Sequence, residues 1–222
     1  GYLLFSTFRR AEQNQVWVGM AKETAHQLGT PLSSLMAWLE ILKTQGVEES
    51  SLVEMNKDIV RLETVSDRFS KIGSVSKKEE ANIYDVINHS LDYLKSRVSK
   101  KVKISIQCDD KTIYSLLNIS LFEWVIENLT KNAVDAMAGE GGIIYSISKE
   151  SQSVIIDVSD TGKGIPSSKL KTVFEPGYTT KKRGWGLGLS LVKRIIEEHH
   201  NGKITVKHSQ IDKGTTFRIV LQ

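Results

Sequence analysis

The chain is poor in the residues that mark extracellular, fibrous or membrane-embedded proteins. A single cysteine, Cys108, among 222 residues rules out an internal disulfide and favours a reducing compartment. Three prolines and 16 glycines are too few for a collagen-like chain or a low-complexity one. No apolar run is long enough to cross a bilayer within these residues. Charge of one sign is not dominant either: the formal net charge is +4, with acidic residues mixed among the basic ones, and no DNA or RNA motif accompanies it, so a nucleic-acid partner is not expected. The glycine clusters are not followed by Gly-Lys-Ser/Thr, which excludes the Walker phosphate loop. What remains is a 40% hydrophobic composition, ordinary for a globular protein of one or two domains.

The chain opens on Gly1-Tyr2-Leu3-Leu4-Phe5-Ser6-Thr7-Phe8, which runs into Arg9-Arg10. That pattern reads as the inner end of a spanning helix capped by positive-inside arginines, so residues 1–10 are expected to end a transmembrane segment that ties the protein to the cytoplasmic side of a bacterial inner membrane. From Phe8 to Thr44 the apolar positions Ala21, Ala25, Leu28, Leu32, Leu35, Leu39 and Leu42 alternate in steps of four and three, the spacing of a bundle seam. Gly46 breaks the pattern, and Leu52, Met55, Ile59, Leu62 and Phe69 resume it in a second helix. The two predict an antiparallel hairpin over residues 11–74. One hairpin cannot cover both seams, whereas two copies in a four-helix bundle can, so a homodimer is expected.

Residues 75–81 are polar and charged and read as a linker. Over 82–222 the pattern becomes mixed. Helices are expected at Ile83–Val98, Ser120–Met137 and Leu187–His200. Strands are expected at Val102–Gln107, Ile113–Leu117, Ile143–Ser148, Val154–Val158, Lys203–His208 and Thr215–Leu221. Consecutive strands near the end pair as a hairpin, which makes this an α+β domain: a mixed, largely antiparallel sheet covered by helices.

The strand Val154–Val158 leads to Asp160 and two glycines, Gly162 and Gly164, followed by Ile165. This places a carboxylate beside backbone that a flat base can approach. Downstream, Gly184-Trp185-Gly186-Leu187-Gly188-Leu189 opens an apolar helix whose first amides can hold an anion, and Thr180, Lys181, Lys182 and Arg183 come just before it. Upstream, helix Ser120–Met137 carries Asn128, Asn132 and Asp135 on one face. Neutral oxygen donors of this kind suit Mg²⁺ held jointly with substrate phosphates.

Glu127-Asn128-x-x-x-Asn132-Ala133-x-Asp135-Ala136, Asp160-x-Gly162-x-Gly164-Ile165, Phe174, and Gly184-x-Gly186-Leu187-Gly188-Leu189 resemble, in order and spacing, the nucleotide-binding motifs of sensor histidine kinases. The fold is one that these kinases share with gyrase, heat-shock chaperone and mismatch-repair ATPases. The resemblance implies ATP and Mg²⁺ as ligands. Asn132 would hold the metal with Asn128 assisting, Lys131 would lie near the phosphates, and Asp160 would accept a hydrogen bond from the adenine amine. Phe174 through Arg183 would form a mobile lid with Lys181, Lys182 and Arg183 on the terminal phosphate. Gly184, Gly186 and Gly188 would wrap the phosphates, and Thr215 would support the adenine pocket. Trp185 departs from the small residue common at its position. The related ATPases have a glutamate where Asn128 stands, and an asparagine cannot activate water as a base, so bound ATP should be kept for another acceptor.

That acceptor is implied by Ala25-His26-Gln27-Leu28-Gly29-Thr30-Pro31, which resembles the phosphoacceptor motif of the same family, with His26 at the phosphorylated position. An imidazole nitrogen is nucleophilic near neutral pH. Thr30 matches the residue that positions water when such an enzyme acts as a phosphatase. Gln27 replaces the usual acidic neighbour, so Glu23, one turn earlier, is the candidate base. A response-regulator aspartate would then take the phosphoryl group. The alternatives are an ATPase driving a conformational cycle, which would turn over ATP without labelling His26, and a non-catalytic scaffold, which would fail to bind ATP with Mg²⁺.

Overall fold

The computed structural model describes residues 25, 27–72, 77–180 and 186–222. They divide into two compact units at residues 76 and 77. No helix among the described residues is long and apolar enough to cross a membrane. The expected end of a transmembrane segment lies outside the described residues.

The first unit contains helices α1 (27–44) and α2 (Glu49–Ile72). α1 runs through Pro31 without interruption, and Ser33 Oγ donates to the Gly29 carbonyl at 3.0 Å in the turn that contains this proline. Gly46, with φ +74°, adopts the left-handed conformation that ends a helix, and the chain reverses. The helices run antiparallel: Leu39 and Leu42 of α1 pack on Leu52 and Ile59 of α2, while Ser66 Oγ donates to the Ala25 carbonyl at 3.1 Å. Only alternate members of each expected seam are covered. Leu32, Leu39, Leu52 and Ile59 are buried, whereas Leu35, Met55 and Leu62 are exposed, joined by Met36, Trp38, Ile41, Val53 and Val60.

The second unit begins with β1 (Glu79–Asn82), which pairs antiparallel with β3 (Tyr114–Leu117) in a two-stranded sheet. Glu79, Glu80 and Ala81 belong to the stretch expected as a linker. Their charge pattern is that of an exposed edge strand, held by backbone pairing and by the buried Ala81, which hydropathy does not distinguish from a loop. Asn82 then caps α3 (Ile83–Lys95) by accepting from the Asp85 N–H at 3.2 Å. The main sheet has the order β2-β4-β5-β7-β6. β2 (Val102–Cys108) and β4 (Gly141–Glu150) are parallel, joined through β3 and the crossover helix α4 (Ile119–Ala136), and the remaining pairs are antiparallel. β4 begins two residues before the expected Ile143, with Gly141 and Gly142 opposite Val102 and Lys103. β5 (Ser153–Asp160) extends two residues past Val158 and so carries Asp160 within the sheet. The last helix is α5 (Gly188–Arg194), continued by a widened π turn, Ile195–His199, rather than one uniform helix to His200. β6 (Lys203–Gln210) and β7 (Gly214–Leu221) close the chain.

The helices cover one face of the sheet. Ile143, Tyr145, Ile156, Val158, Phe217 and Ile219 point into the layer filled by Leu121, Phe122, Val125, Ile126 and Leu129 of α4, and all are buried. The Tyr145 hydroxyl stays hydrogen-bonded there, 2.8 Å from Thr130 Oγ1, and burial pushes its pKa far up. On the opposite face Asp157 receives Arg218 through Nε at 2.7 Å and Nη2 at 2.8 Å, with Lys207 Nζ at 2.7 Å. Partial burial raises the Asp157 carboxyl, but these hydrogen bonds leave it below its ordinary value.

Candidate nucleotide-binding site

The site is assembled from four pieces of the second unit: the face of α4, the end of β5 with its glycine turn, the start of α5, and the β6–β7 hairpin. Asp160 is a buried carboxylate, 9% exposed. Its Oδ1 accepts from the Gly162 N–H at 2.8 Å, and the Thr215 N–H also donates to the carboxylate. Burial nonetheless keeps the carboxyl above its ordinary range, opposed by those two backbone donors. A buried acceptor whose backbone partners hold it in place is suited to bind an exocyclic amine.

Close backbone approaches form the walls. Gly164 has φ +72°, and a Cβ there would lie 2.1 Å from the Gln210 carbonyl oxygen; at Gly214, φ +109°, it would lie 1.8 Å from the Asp160 carbonyl oxygen. A Cβ at Gly162 would strike Ala136 at 2.7 Å, so this turn packs directly on the end of α4. The Ile165 N–H donates to Ser209 Oγ at 2.7 Å, and Ser209 Oγ is 2.9 Å from Thr215 Oγ1, which binds the glycine turn to the β6–β7 hairpin beside Asp160. Ser209 and Gly214 were not singled out from sequence: a serine on an alternating strand carries no distinguishing pattern, and the need for glycine at 214 arises only from a strand distant in the chain.

Across from this wall, Asn128 Nδ2 donates back to the Trp124 carbonyl at 2.8 Å, which fixes the amide with its oxygen turned away from its own helix. The direction is toward the start of α5, where a Cβ at Gly188 would sit 3.3 Å from Asn128 Oδ1 and 3.8 Å from Asn132 Nδ2. The two asparagines and the α5 N-terminus therefore face one another with only glycine between. Asn128 and Asn132 are half-buried, while Lys131 and Asp135 are exposed, and Lys131 Nζ lies 3.8 Å from Glu127 Oε2. Leu187, Gly188 and Leu189 are half-buried at the helix start, and Ser190 Oγ donates to the Leu187 carbonyl at 2.9 Å.

Phe174, expected at the start of a mobile lid, is 8% exposed and packs edge-on against Phe217 at 6.0 Å. An aromatic ring gains more from the core than from a loop, so it anchors the segment rather than moving with it. After it, the Gly177 N–H donates to the Gly186 carbonyl at 3.0 Å, and Lys163 Nζ donates to Thr180 Oγ1 at 3.1 Å, from the middle of the glycine turn. Lys181, Lys182, Arg183, Gly184 and Trp185 lie outside the described residues, as do Glu23 and His26. Thr30 is exposed on α1, in the other unit.

A buried carboxylate at a glycine turn, opposite asparagines that meet a glycine-initiated helix, defines a nucleotide-binding α+β domain, and residues 118–222 match the family described as histidine kinase-, DNA gyrase B-, and HSP90-like ATPase. The nucleotide-free catalytic domain of histidine kinase ThkA superposes with a TM-score of 0.60 at 26% identity, covering 65% of this chain and 95% of that one. ThkA in complex with response regulator protein TrrA gives a TM-score of 0.62 over 99% of this chain and 66% of that one, at 21% identity, a likeness of fold. Among sequences, 96% of the chain is 30% identical to 29% of sporulation kinase E of Bacillus subtilis (strain 168), and 99% of it is 30% identical to 48% of sensor histidine kinase ZraS of Escherichia coli (strain K12). These likenesses support a sensor histidine kinase catalytic domain, and the chain spans less than half the length of these two relatives.

Proposed function

We propose that the chain is the catalytic core of a homodimeric sensor kinase that moves the terminal phosphoryl group of ATP to His26 and then to an aspartate of a response-regulator receiver domain. The observation that carries the reading is the facing of Asn128 and Asn132 with Gly188, opposite the Asp160 wall: it offers amide oxygens and helix N–H groups at one end and a buried acceptor at the other, with no carboxylate at position 128 to activate water. Asp160 would take the adenine amine, with Thr215, Gly162, Gly164 and Ile165 around the base. Gly184, Gly186 and Gly188, with Lys131 and Lys181–Arg183, would take the phosphates.

The amide oxygens of Asn132 and Asn128 fit Mg²⁺, which holds few protein ligands and shares its shell with phosphate and water; when bound it would neutralise charge on the phosphates. In the transfer, a His26 ring nitrogen attacks the terminal phosphorus, the P–N bond forms as the bond to ADP breaks, and Glu23 takes the ring proton. Thr30 would serve the reverse task, positioning water during dephosphorylation of the regulator. The half-covered seams of α1 and α2 support the pairing of two copies as a four-helix bundle. Residues 1–10 would connect this core to a membrane segment, leaving it on the cytoplasmic side, and the connection between the two units would let them approach during transfer.

Incubation with γ-labelled ATP and Mg²⁺ tests the reading. Wild type should acquire an acid-labile label that His26→Ala lacks. Steady hydrolysis with no protein-bound label would replace it by an ATPase cycle.

A further inference from the structure

His200 takes no part in the site described above, yet it is a 4% exposed histidine with both ring nitrogens engaged. Nε2 accepts from the Asn118 N–H at 3.1 Å, at the N-cap of α4. An accepting Nε2 assigns the proton to Nδ1, which donates to the Ile195 carbonyl at 2.9 Å, the first residue of the π turn that ends α5. Phe122 of α4 meets the ring edge-on at 5.8 Å. Asn118 is itself a hub: its Oδ1 accepts from Leu121 N–H and Ser120 Oγ, both at 3.1 Å, and its Nδ2 donates to the Lys77 carbonyl at 3.2 Å.

The placement matters because α4 and the α5 run are packed antiparallel. His200 joins the beginning of one to the end of the other, while Asn128 of α4 and Gly188 of α5 meet at the opposite end. Asn128 lies ten residues beyond Asn118, about 15 Å along the helix, so a change of only about 4° in the crossing angle at His200 would move the Asn128–Gly188 facing by about 1 Å. The π turn places His200 so that its ring reaches back to the Ile195 carbonyl.

We propose that His200 is a positioning residue of the nucleotide site, whose neutral ring, bonded at both nitrogens, pins α4 to α5 and so sets the separation of Asn128 and Asn132 from the α5 N-terminus. This role rests on the nucleotide reading above. A proton on Nε2 would set two donors against each other across the Asn118 contact and release the pin. One charged group beside the ring opposes that proton, Lys78 from the segment before β1; the neighbouring His199 is itself held down to about 4 by burial and so is neutral over the range concerned, and Arg194 on the same run is paired to Glu198 at 3.0 Å. α4 contributes Asn118 and Phe122, neither of which titrates. Burial, then Lys78, hold the ring below its ordinary pKa, so the pinned form is fully favoured above about pH 6.5 and loses ground as pH falls below it, because unpinned forms bind the proton first.

The test measures binding of trinitrophenyl-ATP with Mg²⁺ to the whole chain between pH 7.5 and 5.5. Wild type should weaken at least fivefold over that range. H200Q, whose amide can accept and donate at the same two points, should keep the pH 7.5 affinity and vary less than twofold. H200L should bind at least fivefold more weakly at both ends of the range. Binding by H200L equal to wild type, or a pH profile of H200Q equal to wild type, overturns the role. Wild type that binds at no pH sinks the nucleotide reading itself, a separate result. If H200L does not fold, the ¹⁵N shifts of the His200 ring in wild type decide: a neutral Nδ1–H ring down to pH 6 supports the pin, and titration at the ordinary value with unchanged affinity refutes it.

Discussion

At the scale of single residues, Asp160 is a carboxylate held where its charge is disfavoured. Burial disfavours the carboxylate, and two backbone N–H groups hold it without satisfying all its acceptor capacity. Asp160→Asn keeps the shape but turns one acceptor into a donor. It should weaken Mg²⁺–nucleotide binding by about ten- to a hundredfold, the worth of a charge-assisted hydrogen bond, while the domain stays folded; calorimetric titration with a far-ultraviolet dichroism control checks both. The grouping of Asp160 with Gly162 and Gly164, and of Asn128 with Asn132 on one helix face, was legible in the sequence because their spacing is local. Ser209 and Gly214 were not, since their reasons lie across the sheet.

Among the elements, the helices of the first unit separate two kinds of apolar residue that the sequence pattern treats alike. Leu39 is 3% exposed and packed on α2, whereas Leu35, one turn away in the same seam, is 44% exposed. Leu39→Ala should therefore cost about 2–4 kcal/mol of stability. Leu35→Ala should leave the pairing of α1 with α2 intact and instead weaken self-association, raising the dimer dissociation constant about tenfold or more in sedimentation equilibrium; a monodisperse monomer in wild type would remove the basis of that expectation. Seam spacing located both helices but could not say which partner covers each position. The same limit explains β1: Glu79-Glu80-Ala81-Asn82 has the composition of a linker, and only its pairing with Tyr114–Leu117 makes it a strand. The late helix shows a different failing, because hydrophobic period does not resolve an α turn from the π turn that places His200.

For the molecule as a whole, the division after residue 76 means that, on the proposed function, binding and transfer are separable. The second unit contains Asp160, Asn128, Asn132, Gly188 and Thr215, each supported by partners from the same unit, and the proposed acceptor, His26, belongs to the other. A fragment spanning Lys77–Gln222 should fold and bind Mg²⁺–nucleotide within about threefold of the whole chain, yet form no acid-labile label; a fragment that binds more than tenfold more weakly would show that the helical unit completes the pocket. The mixed sheet with its helix-covered face was legible from the order of patterns, but the parallel pairing of β2 with β4 was not, since no short-range signal specifies a crossover. The close approaches at Gly164 and Gly214 carry a genetic consequence. Each abuts a main-chain oxygen, of Gln210 and of Asp160, so no trimming of a neighbouring side chain can make room for a new methyl group. A search for second-site suppressors of an alanine at either position should return only true revertants to the glycine codon.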